Sequence, residues 1–194
     1  MRELEGLNKD VATPRSCLAN SSSSLRVCCA LYYEEESIIG KLIRPFKYSH
    51  QADLFRIFVP WMKEAMRLLH DGPVVFVPVP LHKSRELERG YNQAELLAKW
   101  LGKSMGMPVA RLVKRVKDTG SQARLTDRKS REENMLGAFV ALGSAERCPI
   151  VLVDDIVTTG STLLACAEAL RTAGASHVFA LTLADREKKT SPRN

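Results

Sequence analysis

The chain has 194 residues, of which 45% are apolar and 26% charged, and it carries a formal net charge of +7. This length fits one ordinary domain and argues against two, and this balance of residues excludes disordered, collagen-like and membrane-embedded chains. No apolar run approaches the roughly 20 residues of a membrane-spanning helix, and the N-terminus lacks the apolar core of a secretory signal, so we expect a cytoplasmic protein.

The N-terminal segment, residues 1–26, shows no apolar period and contains a run of four serines. We predict that it is a poorly ordered lead-in to one domain over residues 27–185, which ends in a charged tail over residues 186–194. Five cysteines are unevenly spaced and form no C-x-x-C pair, which favours reduced thiols over metal ligands. They are Cys17, Cys28, Cys29, Cys148 and Cys166.

The first predicted elements of the domain are a strand and two helices. Residues 27–33 are rich in apolar and aromatic side chains, which is typical of a strand, and a short helical pattern over residues 38–43 ends at Pro45. Apolar residues then recur at three- and four-residue steps over residues 54–69, which predicts a helix with one buried face. Pro60 can kink it.

A strand, a loop and a helix follow. Residues 74–80 form a short β-branched run between Gly72-Pro73 and Pro80, which predicts a buried strand, and we interpret residues 81–89 as a loop. Helical periodicity resumes at Asn92 and continues to Met105, where Gly106 provides a stop.

The next stretch is strongly basic. Residues 111–131 contain eight Lys or Arg against two Asp, so that residues 81–148 carry six of the seven net positive charges. Because residues 111–134 have almost no apolar period, we predict a long mobile loop. Such a charge run suits a solvated face, a polyphosphate clamp or a nucleic-acid contact, and composition does not choose among them.

The C-terminal part predicts a strand–helix–strand unit. Residues 149–154 are an apolar strand, residues 162–173 a helix with Gly174 at its end, and residues 177–183 another strand. Together with the earlier strand and helix, this unit predicts an α/β domain with a mainly parallel sheet.

The segment between that strand and that helix has the composition of a phosphate cradle. It lies at the carboxyl end of a strand, where open α/β sheets bind ligands. Gly160 permits close approach of the backbone, and the helix that follows directs the positive end of its dipole at the same place. Four side chains supply hydroxyl groups: Thr158, Thr159, Ser161 and Thr162.

Asp154 and Asp155 require a different ligand group, because two carboxylates would repel a phosphate. The vicinal hydroxyls of a ribose are suitable donors, so a sugar with a 5-phosphate satisfies both halves of the segment. The alternative is a strand-end turn with solvated carboxylates. The chain has neither the G-x-x-x-x-G-K-[ST] of a P-loop nor, after its first strand, the G-x-G-x-x-G of a dinucleotide site.

The sequence VDDIVTTGST at residues 153–162 resembles the motif that binds 5-phosphoribosyl-1-pyrophosphate (PRPP) in type I phosphoribosyltransferases. The sequences VPVP at residues 77–80, RGYNQ at residues 89–93 and GAF at residues 137–139 are similar to ComF-type proteins, a phosphoribosyltransferase-like family linked with bacterial competence. The resemblance covers residues 27–185. It implies the type I phosphoribosyltransferase-like fold, a parallel sheet flanked by helices with a small N-terminal hood-like segment.

The resemblance also implies roles for individual residues. Asp154 and Asp155 would be the catalytic pair and hold the ribose 2- and 3-hydroxyls, and the backbone and side chains from Val157 to Thr162 would hold the 5-phosphate. The implied pyrophosphate ligands are His82, Lys83, Arg85 and Arg89. The implied closing loop contributes Lys114, Arg115, Gln122 and Arg131. The alternative for Arg85 and Arg89 is a place in an ordinary exposed loop without phosphate contact. The alternative for His82 is a surface position without a role in binding.

The implied activity is transfer of a phosphoribosyl group to an unknown acceptor, with release of pyrophosphate and help from Mg²⁺. A PRPP- and single-stranded-DNA-binding competence protein without turnover is an alternative, as is a PRPP-sensing regulator. Oligomeric state stays open, with a homodimer or a partner in the competence machinery as candidates. ComF-type chains usually begin with a four-cysteine zinc module, of which this chain has only Cys17 and Cys28-Cys29, so we expect no zinc.

Overall fold

The computed structural model describes residues 18–20, 23–33, 40–41, 55–117, 137–145 and 149–186. Within these ranges seven strands and four helices have described bounds, and residues 40–41 are helical as well. In chain order they are β1 (Leu18–Asn20), β2 (Ser23–Tyr33), α1 (Phe55–Leu69), β3 (Val75–Pro78), α2 (Lys83–Arg89), α3 (Gln93–Met105), β4 (Val113–Arg115), β5 (Phe139–Ala141), β6 (Ile150–Val157), α4 (Ser161–Thr172) and β7 (Val178–Arg186).

A five-stranded sheet in the order β1-β2-β7-β6-β3 forms the centre of the fold. Strands β2, β7, β6 and β3 run parallel, and β1 pairs antiparallel with β2. Strands β4 and β5 form a separate antiparallel pair. The α/β class with a mainly parallel sheet flanked by helices is therefore confirmed.

Helices cover both faces of the sheet, and the alternation of side chains along β6 separates the two cores. Val151 and Val153 point to one face, where they join a cluster with α1 and α3. Ile150 and Leu152 point to the other face, where they join a cluster with α4 and the β4–β5 pair. We call these the α1–α3 face and the α4 face.

Helices α1 and α3 agree closely with their predicted bounds. In α3 the side chain of Asn92 accepts a hydrogen bond from the backbone N–H of Ala94, and Gly106 ends the helix with a φ of 67°. Pro60 lies inside α1. No helix in the described ranges is long and apolar enough to cross a membrane.

The prediction of a loop over residues 81–89 was wrong, because most of this segment is helix α2. Caps at both ends stabilise it: the His82 side chain accepts from the N–H of Ser84, and Gly90 adopts a φ of 77°. No residue of α2 is buried, so the helix leaves no apolar period in the sequence.

Three other bounds also differ from the prediction. The strand before the motif continues through both aspartates to Val157 instead of ending at Asp154. Strand β1 and the start of β2 at Ser23 lie in the segment expected to be poorly ordered. The expected mobile loop over residues 111–134 contains β4, and its remainder from residue 118 onward lies outside the described residues.

Strand β3, at the end of the sheet, carries a short strap on its outer side. The strap is residues 107–110, in which Val109 forms a bridge with Phe76. Phe76 donates to the carbonyl of Pro108 and accepts from the N–H of Ala110, both at 3.0 Å. A Cβ on Gly102 of α3 would lie 2.6 Å from a methyl of Val109, so only glycine lets the helix and the strap approach this closely.

Candidate functional site

The turn between β6 and α4 is the centre of the candidate site. Gly160 adopts a left-handed conformation with φ 77° and ψ 0°, and α4 begins at Ser161. The Thr159 hydroxyl lies 2.9 Å from that of Ser161 and 3.4 Å from its backbone N. The first N–H groups of α4 and the surrounding hydroxyls therefore face the same small volume, which is an arrangement that favours an anion.

The six residues predicted to bind phosphate differ in how far their side chains are buried. The side chains of Thr158, Thr159 and Thr162 are exposed or half-buried, and Ser161 is buried beside the turn. Val157 differs from these, since its side chain packs into the apolar cluster under α4. Val157 can therefore contact a ligand through its backbone and not through its side chain.

Asp154 and Asp155 lie on opposite faces of the sheet, since side chains alternate from Ile150 to Asp155 and the two carboxylates act on groups of different faces; the alternation is lost only at Ile156 and Val157. Asp154 follows Ile150 and Leu152 toward α4, whereas Asp155 follows Val151 and Val153 toward α1 and α3. Each carboxylate accepts from the next backbone N–H, with 2.9 Å from Asp154 to the N of Asp155 and 2.7 Å from Asp155 to the N of Ile156. The sequence did not indicate this separation.

On the α4 face, the charge of Asp154 acts on Cys166, a buried thiol of α4. Burial and the negative charge of Asp154 raise the pKa of Cys166, whereas Arg115 lowers it. Arg115 belongs to β4, lies with its guanidinium 5.5 Å from the centre of the Phe139 ring, and donates to the carbonyl of Lys117. The first aspartate thus shares its surroundings with a buried thiol and an arginine.

On the α1–α3 face, the charge of Asp155 acts on Tyr91, between α2 and α3. Burial raises the pKa of the Tyr91 phenol, Arg89 lowers it and Asp155 raises it. Arg89 and Asp155 therefore both lie within electrostatic range of the Tyr91 phenol. We assigned no role to Tyr91 from the sequence, although its place two residues after Arg89 in RGYNQ was a signal that could have indicated one.

The segment that contains Arg89 is attached firmly to the sheet. The side chain of Asn92 donates to the carbonyl of Val79 at 3.0 Å, and Arg89 donates to the Gln93 side chain at 3.3 Å. Both Asn92 and Gln93 are buried. These bonds fix Arg89 and Tyr91 next to the end of β3.

The four predicted pyrophosphate residues belong to helix α2 and its N-cap, where their side chains have different surroundings. His82 caps α2, with its Nδ1 at 2.9 Å from the Ser84 hydroxyl, and Lys83 lines a shallow groove on α2 with Glu86, Leu87 and Gly90. Arg85 is half-buried on α2. Arg89 is connected electrostatically to Asp155 through Tyr91.

Two of the four predicted closing-loop residues belong to the described part of the chain. Lys114 and Arg115 lie on β4, where Lys114 is exposed and Arg115 is half-buried toward α4, so neither belongs to the expected loop. Gln122 and Arg131 lie outside the described residues. Arg111, just before β4, is bound to Glu95 of α3 at 2.6 Å.

The described thiols are Cys28, Cys29 and Cys166, and all three are buried. Burial raises the pKa of Cys28 to about 11. Among the described residues no group of three His, Cys, Asp or Glu could hold a metal ion, and Cys17 and Cys148 lie outside them.

Comparison with known proteins gives a consistent result. Residues 62–194 match the family described as the phosphoribosyl transferase domain. Competence protein F of Haemophilus influenzae is 34% identical over 84% of this chain and 74% of its own length. Competence protein ComFC of Bacillus subtilis is 32% identical over 78% and 61%, and the DNA utilization protein YhgH of Escherichia coli is 36% identical over 72% and 64%. The chain thus spans less than two thirds of the last two relatives.

Solved structures were compared as well. The glutamine PRPP amidotransferase of Bacillus subtilis is 17% identical and superposes with a TM-score of 0.46 over 84% of this chain and 32% of its own. The adenine phosphoribosyltransferase of Leishmania tarentolae is 11% identical, with a TM-score of 0.43 over 80% and 90%.

Proposed function

This chain belongs to the phosphoribosyl transferase domain family, in the group of ComF-type competence proteins, and from that premise we propose that it binds PRPP at the carboxyl end of β6. One observation carries the proposal. Two aspartates, a left-handed glycine and the start of a helix lie within the eight residues from Asp154 to Ser161. Carboxylates for a sugar and an N–H-lined turn for its phosphate are thereby adjacent.

In this proposal the turn holds the 5-phosphate. The backbone N–H groups of Gly160, Ser161 and Thr162 would donate to its oxygens, and the hydroxyls of Thr158 and Thr159 would complete the cradle. Gly160 has to be glycine, since its φ of 77° strains any other residue and a Cβ would narrow the space for a phosphate.

The ribose would lie across the end of β6. Asp154 would then accept from one ribose hydroxyl and Asp155 from the other, because the two carboxylates approach the strand end from opposite faces. Tyr91 and Arg89 would then lie on the same side of the sugar as Asp155, and this placement supports a role for Arg89 in binding the pyrophosphate. Lys83 and Arg85 on the exposed helix α2 are the next candidates for that role.

A magnesium ion is expected to accompany PRPP. Asp154 and Asp155 fit this ion, which takes hard oxygen ligands and is usually held by one or two carboxylates together with substrate phosphates and water. When bound, Mg²⁺ would neutralise charge on the departing pyrophosphate. The protein's own contribution would be to orient the sugar and to exclude water from C1.

We further propose that the chain transfers the phosphoribosyl group to an acceptor that is still to be identified. A nucleophile on the acceptor would form a bond to C1 as the bond from C1 to the pyrophosphate oxygen breaks, and pyrophosphate would leave with that electron pair. Incubation with PRPP, Mg²⁺ and a panel of bases and amines tests this step. Release of pyrophosphate that depends on one acceptor supports transfer, and no release with any of them supports a binding or sensing role.

Isothermal titration with PRPP and Mg²⁺ tests the binding site itself. Asp154→Asn combined with Asp155→Asn removes two charged acceptors, so we expect affinity to fall ~100-fold or more. Asp71→Asn is the matched control, because Asp71 is an exposed aspartate in the connection before β3, at the opposite end of the sheet. Equal affinity of the double variant and the wild type would reject the site.

Single-stranded DNA is a second candidate ligand. Four basic residues lie within seven positions around β4, namely Arg111, Lys114, Arg115 and Lys117, and relatives carry the names of competence and DNA utilization proteins. Binding through these charges should weaken steeply between 50 and 200 mM salt, which fluorescence anisotropy measures. Lys114→Glu with Lys117→Glu should reduce DNA binding and spare PRPP binding.

A further inference from the structure

A buried hydroxyl in the middle of the sheet has no hydrogen-bond partner among the described residues. It belongs to Thr182 of β7, whose residue is 0% exposed. A buried polar group without a hydrogen-bond partner destabilises the folded protein. Valine has nearly the same shape without that cost, so the presence of a hydroxyl requires a physical reason.

The strand register gives Thr182 two neighbours. Thr182 is the partner of Asp154 on β6 and of Cys29 on β2, so these three residues form one row across the sheet. Paired residues of parallel strands point to the same face and stand about 4.8 Å apart. The row therefore lies on the α4 face, within the core that contains Cys29 and Cys166.

Of the two neighbours, Asp154 is the stronger acceptor. A thiol sulfur accepts weakly, whereas a carboxylate accepts strongly from hydroxyl groups. One oxygen of Asp154 accepts from the N–H of Asp155, the next residue, so the carboxylate is held against the backbone of its own strand. A rotation about its side-chain bonds would bring it within reach of the neighbouring strand.

We propose that Thr182 is a positioning residue, whose hydroxyl donates to the Asp154 carboxylate when a ribose hydroxyl occupies the site. This inference rests on the proposed PRPP binding. One carboxylate oxygen would accept from Thr182 and the other from the sugar, so that the carboxylate is held between two donors. The unsatisfied hydroxyl of the free protein would gain its partner on binding, and the gain would add to the affinity.

Two substitutions with opposite effects test the proposal. Thr182→Val keeps the shape and removes the hydroxyl, so PRPP affinity should fall roughly tenfold in the presence of Mg²⁺ while the urea midpoint stays the same or rises. Thr182→Ser keeps the hydroxyl and removes a methyl, so affinity should stay within about twofold of the wild type while the urea midpoint falls. A threonine that only fills space would give affinities that follow stability in both variants.

The outcomes separate this inference from the proposed function. If the wild type binds PRPP and Thr182→Val binds it equally well, Thr182 does not position Asp154, and the PRPP site stands. If Thr182→Ser loses affinity as Thr182→Val does, shape rather than the hydroxyl is what matters, and the inference is overturned. If the wild type itself fails to bind PRPP, both the proposed function and this inference are wrong.

Discussion

The two faces of the sheet differ in what they bury. Among the residues that the structure describes, eight of the ten largest fully buried side chains belong to the α1–α3 face, and the other two, Leu25 and Ile150, belong to the α4 face. The α4 face contains Asp154, the buried hydroxyl of Thr182 and two thiols, against the single described thiol Cys28 in the α1–α3 cluster. Large apolar side chains give a close-packed interior that resists rearrangement. Ligand-facing groups occur at the strand end on both faces, Asp155 with Tyr91 on the α1–α3 face and Asp154 on the α4 face, but only the α4 face buries a polar hydroxyl beside its aspartate.

The largest expected effect lies on the α1–α3 face. Phe58→Ala removes a ring that is 2% exposed and should lower the free energy of unfolding by about 3–5 kcal/mol. Urea denaturation measures this loss. Below the unfolding transition, PRPP affinity should be unchanged, and a large loss of affinity in the folded variant would mean that packing under α1 affects Asp155 and Tyr91 on the same face.

The second prediction moves to the start of α4. Gly160→Ala should cost about 1–2 kcal/mol, because its φ of 77° strains a side chain, and should also weaken PRPP binding at least tenfold. Gly106→Ala is the matched control, since Gly106 has a φ of 67° and no atom within 4 Å of an added Cβ. The control should lose similar stability and keep its affinity; equal losses of affinity would point to a global effect.

A smaller effect is expected from the charges that connect α3 to the segment before β4. Burial raises the pKa of Glu95, but hydrogen bonds and charges from Lys99 and Arg111 outweigh it, so the pKa lies below its usual value. A carboxyl whose pKa is depressed on folding stabilises the protein above its unfolded pKa and loses that contribution as the pH falls through the folded value.

Glu95→Gln should therefore cost about 0.5–1 kcal/mol at pH 7, where the partners are largely exposed to solvent. The difference from the wild type should shrink as the pH falls below about 4. Urea midpoints at several pH values measure it. A difference that persists at low pH would indicate lost packing rather than lost charge.

The smallest effect concerns the separation of the two aspartates. Asp155→Asn removes a negative charge that disfavours the phenolate, so the pKa of Tyr91 should fall toward its ordinary value. Asp154→Asn should leave it unchanged, because Asp154 lies on the other face. Ultraviolet titration of the phenolate, with Tyr91→Phe to assign the signal, distinguishes the two, and equal shifts would contradict the opposite placement.

Strong local signals made much of the fold predictable. The caps of α3 at Asn92 and Gly106 and the apolar stripe of α1 set their bounds closely, because each signal acts within a few residues. Helix α2 escaped prediction since none of its residues is buried. The extension of β6 to Val157 also escaped it, because pairing with β7 overrides the polar character of two aspartates.

The candidate site was predictable as a segment and not as a geometry. The sequence indicated the order of carboxylates, small residues and helix. It did not indicate that Asp154 and Asp155 point to opposite faces, because that depends on the strand continuing through both residues. Tyr91 and Thr182 depend on contacts between elements far apart in the chain, 64 and 28 residues from their aspartates. No local pattern reports such contacts.

The strap along β3 has a consequence for the behaviour of the protein in concentrated solution. The end strand of a sheet exposes N–H and C=O groups that another chain can pair with, and such pairing leads to aggregation. Here Pro108 and Ala110 already take up both backbone groups of Phe76. Gly102 permits this protection through the absence of a side chain, so a glycine far from the site helps to keep the molecules apart from one another.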